Sequence, residues 1–127
     1  MFGWFRKRAD SKGPDFSAVD TAEKAAELCR RGDLERIFLV PLDFGGADDE
    51  RTMLYVPVGV GQVKAQIENE TIRAMAREGK VSSFEASVEY EGASVIPISI
   101  TVVASDPGRF TSTIKVWGKA LGHDTNA

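Results

Sequence analysis

From Ser83 to Glu91 the apolar residues Phe84, Ala86, Val88 and Tyr90 alternate with Ser83, Glu85, Ser87, Glu89 and Glu91. A period of two predicts a half-buried strand with a wet, acidic outer face over Val81–Glu91. After the Glu91-Gly92 turn, Ala93 to Ala104 contains no charged residue, with Ile96, Ile98, Ile100 and Val102 on one face and Val95, Pro97, Ser99, Thr101 and Val103 on the other. Asp106, Pro107 and Gly108 mark the next turn, and Phe110, Ile114 and Val116 then alternate with Thr111, Thr113, Lys115 and Trp117. Three strands joined by short turns predict an antiparallel meander.

The first half of the chain reads differently. Thr21 to Arg31 has a helical stripe of Ala22, Ala25, Ala26, Leu28 and Cys29, with Asp20 expected as N-cap, Glu23 reaching back to it, and Gly32 as the stop. Ile37 to Leu42 is apolar at successive positions, as in a central strand covered on both faces, although Pro41 removes one ladder donor. Met53 to Val58 reads as a second strand. Gly61 to Glu78 returns to helical spacing, with Val60, Val63, Ile67, Thr71, Ala74 and Met75 on the expected core stripe. Ala65, Ile72 and Ala76 fall opposite, and Gly79 follows as the stop. The predicted fold is α+β, a predominantly antiparallel sheet of five strands with two helices, in the order α-β-β-α-β-β-β.

Length and charge then divide the chain. Its 127 residues, 43 % apolar and 28 % charged, suit one domain with one core. Residues 1–14 hold four basic side chains against one acid, and the remainder holds twelve against eighteen. A basic, aromatic tail over 1–14, a domain over 15–118 and a polar tail over 119–127 are therefore expected. One cysteine, Cys29, and one histidine, His123, exclude a disulfide scaffold and a structural zinc quartet. No segment reads as a membrane span or a signal peptide, so a reducing cytoplasm is the expected compartment.

Several residue groups invite a chemical reading. Gly59, Gly61 and Lys64, at a strand-to-helix turn, are a candidate anion-binding site, but the spacing matches neither a dinucleotide fingerprint nor a phosphate-binding loop. A flexible turn is the preferred reading. Asp43, Asp48, Asp49 and Glu50 supply hard oxygen ligands without the alternation of a calcium loop, and read as a solvated loop. Glu85, Glu89 and Glu91 share a strand face without the burial that separates the roles of an acid and a base. Cys29 lies on an apolar helix face and His123 in the polar tail, so no nucleophile-base pair forms, and no catalytic residue, metal or cofactor is assigned.

Phe2, Trp4 and Phe5 beside Arg6, Lys7 and Arg8 suit contact with an anionic membrane surface, which would place the protein peripherally on the inner face of a membrane. Nucleic acid is not an expected partner, because the domain behind this tail is acidic. Two helices do not cover both faces of a charge-free strand. A non-enzymatic interaction module is therefore the leading reading, with self-association or a protein partner through Val95, Pro97, Thr101, Val103 and Ile72. The alternatives are a small metabolite- or anion-binding domain or enzyme using Gly59–Lys64, and a membrane adaptor using residues 1–8.

Overall fold

A computed structural model describes residues 15–46 and 52–121. The element order is α1 (Ala22–Arg30), β1 (Leu34–Phe38), β2 (Met53–Pro57), a second helix α2, β3 (Ser83–Glu89), β4 (Ser99–Ser105) and β5 (Arg109–Lys115). Three consecutive stretches make up α2: α-helical Val60–Gln66, a π turn Ile67–Ile72 and α-helical Arg73–Arg77. The α+β class, the five strands and their order are as the sequence predicts. The strands divide, however, into a two-stranded sheet β1-β2 and a three-stranded sheet β3-β4-β5, both antiparallel. One cluster of buried side chains spans both, from Val19 and Leu34 to Ile100 and Trp117.

Local chemistry accounts for most boundaries. Thr21, rather than Asp20, is the N-cap of α1: its Oγ1 accepts from Lys24 N at 3.1 Å, while Asp20 pairs with the Lys24 ammonium at 2.8 Å. The expected strand Ile37–Leu42 gives way to Leu34–Phe38, paired from Leu34↔Pro57 to Phe38↔Met53. Pro41 initiates a 3-10 turn at Leu42–Phe44 instead of continuing the ladder. Arg36 is exposed, so β1 is not a strand covered on both faces.

The core stripe of α2 also departs from the helical spacing. Lys64, Glu68 and Ile72 are buried, whereas Val63 is 48 % exposed. In an unbroken α-helix residues four apart drift by about 40° per step. The π turn takes more residues per turn and keeps 64, 68 and 72 stacked on the same side.

In the three-stranded sheet the rows Phe84–Ala104–Phe110, Ala86–Val102–Ser112 and Val88–Ile100–Ile114 face inward. Ile100, Val102 and Ala104 are fully buried. The charge-free stretch is only partly strand. Before Ser99 it runs as irregular chain under the segment Phe16–Val19: Val95 N donates to Val19 O at 2.8 Å, and Ser94 Oγ to Phe16 O at 2.8 Å. Trp117 closes the same region, its indole N–H donating to Ile96 O at 2.9 Å and its ring meeting Phe16 edge-on at 5.8 Å.

Candidate ligand groove

The sequence-predicted anion site comes together in space and is already filled. Gly59 N and Gly61 N both donate to Glu35 Oε2, each at 3.0 Å. The carboxylate at the start of α2 is thus the chain's own, reaching across from β1. Gly61 permits this approach, since a Cβ there would stand 2.8 Å from Ile37 Cγ2 and 3.0 Å from Glu35 Oε2. Gly59 is left-handed, with φ of 108°, and caps the helix. Lys64 does not face solvent. Its Nζ donates to Phe38 O at 3.1 Å and to the Glu68 carboxylate, and both side chains are buried.

The predicted interface residues separate. Ile72 belongs to the core, with 3 % of its surface exposed, and Pro97 is fully buried. Val95 is half-buried beneath Val19. Thr101 and Val103 do share the outer face of β4, in the rows Ser87–Thr101–Thr113 and Glu85–Val103–Thr111. That face is polar apart from Val103, and Thr101 and Thr113 join their hydroxyls at 3.0 Å. Glu89 lies in a row with Ser99 and Lys115, while Glu91 turns away to accept from Lys119 N at 3.0 Å. Cys29 is half-buried on α1. Phe2, Trp4, Phe5, Arg6, Lys7 and Arg8, the acids Asp48, Asp49 and Glu50, and His123 lie outside the described residues.

A groove absent from the sequence reading lies between the C-terminal half of α2, the 3-10 turn and the approach to β3, with a volume of ≈ 490 Å³. Phe44, Ile72, Val81 and Phe84 give it an apolar lining, and Arg73 and Arg77, one turn apart, add cations. Phe44 and Phe84 meet edge to face at 5.0 Å between ring centroids. The Arg73 guanidinium lies 5.0 Å from the Phe44 centroid, and its Nη2 donates to Asp43 Oδ2 at 2.5 Å and to Asn69 Oδ1 at 3.2 Å. The guanidinium is therefore held by three contacts before any ligand arrives. Arg77 makes no ion pair among the described residues. At the far side Ser82 and Ser83 donate their hydroxyls to Asp106, at 3.1 and 3.0 Å.

The electrostatics of this region follow from its partners. Hydrogen bonding from Arg73 holds the Asp43 carboxyl below its ordinary range, more than desolvation raises it. Desolvation pushes Glu68 the other way, upward, against the opposing bond from Lys64. Sequence reading missed the groove because only Arg73 and Arg77, four residues apart, carry a local signal. Asp43 lies thirty residues before Arg73, and it and Phe44 meet that side chain only in the folded chain.

Among the described residues no cluster of three or more acids, histidines and cysteines is arranged to hold a metal ion, and no helix is long and apolar enough to cross a membrane. Comparison with protein-family models, curated proteins and solved structures yields no match.

Proposed function

We propose that this protein is a non-enzymatic interaction module, and that the groove beside α2 takes a short acidic peptide segment carrying an apolar side chain. The observation that carries this reading is the pairing of two cations, Arg73 and Arg77, with the lining of Phe44, Ile72, Val81 and Phe84. An apolar anchor gains from leaving water, and a carboxylate gains from a guanidinium fixed beforehand, so the two halves of such a ligand match the two halves of the groove. Its volume of ≈ 490 Å³ falls within the usual range of ligand pockets, about 300–1,000 Å³. The turn at Gly59–Lys64 is less suited to an external anion, because Glu35 and Glu68 already use its donors.

The test is a titration of the isotope-labelled full chain with the acetylated, amidated peptide Glu-Leu-Glu, followed by NMR. Amide shifts concentrated at residues 43–44, 72–77 and 81–84 are expected, decreasing with added salt and lost in Arg73→Gln with Arg77→Gln. A Lys-Leu-Lys peptide should leave these signals unmoved. Equal responses to both peptides, or shifts confined to another face, would reject the groove as a site for acidic segments.

A further inference from the structure

We infer that Asp43 is a built-in stand-in for the ligand's carboxylate, occupying Arg73 until an acidic peptide displaces it. This inference rests on the reading of the groove as an acidic-peptide site and adds its regulation. Asp43 engages the guanidinium through one amino nitrogen, Nη2, at 2.5 Å. The remaining Arg73 N–H groups have no partner among the described residues. A carboxylate arriving from solvent can take two N–H groups in the forked arrangement that guanidinium favours, which a single-point contact from Asp43 does not match.

Displacement is also inexpensive on the protein's side. The Asp43 side chain is 60 % exposed and that of Arg73 37 % exposed, so the pair is worth little in water and Asp43 rehydrates on release. Arg73 does not lose its place when Asp43 leaves, because Asn69 Oδ1 at 3.2 Å and the Phe44 ring at 5.0 Å still hold it. The depressed proton affinity of Asp43 agrees with a carboxylate that stays ionised and competes at neutral pH. A groove closed by its own weak ligand selects for partners that bring both a carboxylate and an apolar anchor.

The test is the same Glu-Leu-Glu titration carried out on the parent chain and on Asp43→Asn, with Asn69→Ala as a companion. Removing the competing charge should tighten binding by about two- to fivefold. Loss of the Asn69 contact should weaken it, because Arg73 is then less firmly posed. Binding by Asp43→Asn with none detectable in the parent also supports the inference. If the parent binds and Asp43→Asn binds equally or more weakly, Asp43 is a positioning residue for Arg73, and the stand-in role is rejected while the groove reading survives. Absence of binding in both chains rejects the two together.

Discussion

The underside of α2 and the inner face of β3-β4-β5 are buried to a similar depth with opposite chemistry. On the sheet, Ile100 is fully buried in a row with Val88 and Ile114, and that row leaves no polar side-chain atom to satisfy. On the helix, Lys64 and Glu68 are 3 % and 5 % exposed. Their charges are compensated by each other and by Phe38 O. Apolar burial tolerates small errors of geometry, since dispersion and transfer are non-directional. An ion pair out of water is stable only while both partners are present, because each alone carries a desolvation penalty of several kcal/mol.

The largest expected effect breaks the helix side. Glu68→Ala leaves the Lys64 cation with one carbonyl partner and should cost about 3–5 kcal/mol in urea unfolding. Replacing both charges, Lys64→Met with Glu68→Leu, should return stability to the parent's level or above it. A single variant as stable as the parent would remove the contrast. The pH dependence has a definite sign. Desolvation raises Glu68 in the folded state, so the stability linked to its protonation is complete below the ordinary carboxylate range and is lost as pH rises through the raised value. Glu68→Gln should flatten that decline. Asp20 and Asp43, lowered by Lys24 and Arg73, act in the opposite direction and lose their contribution on acidification.

On the sheet side Ile100→Val removes one methylene from a fully apolar site and should cost about 0.5–1.5 kcal/mol, with no dependence on pH. A cost as large as that of Glu68→Ala would show the sheet to be as intolerant as the helix. The smallest effect concerns the link between the two regions of the first half. Glu35→Gln keeps an acceptor for Gly59 N and Gly61 N but removes the charge at the start of α2. A loss of about 0.3–1 kcal/mol in thermal unfolding, shrinking in salt, is expected. No loss at low salt would show that hydrogen bonding alone, without charge, fastens β1 to α2.

By itself the sequence determined the parts whose chemistry is local. Alternation placed Phe84, Ala86 and Val88 inward and Glu85, Ser87 and Glu89 outward, and the meander follows because its turns are short. Helix ends at Gly32 and Gly79 were legible for the same reason. Tertiary structure decided what depends on residues far apart in the chain. Lys64 turns to Phe38 O and Glu68 rather than to water, and neither that contact nor the π turn that stacks 68 and 72 beneath it is encoded in hydropathy. The charge-free stretch required a cover, and only folding shows that Phe16–Val19 and Trp117 supply it for residues 94–96. The groove belongs to the same category: Arg73 is an unremarkable helical residue until the 3-10 turn sets Asp43 and Phe44 against it. Side-chain periodicity reports which face is apolar, whereas the identity of what meets that face is fixed by packing the whole chain at once.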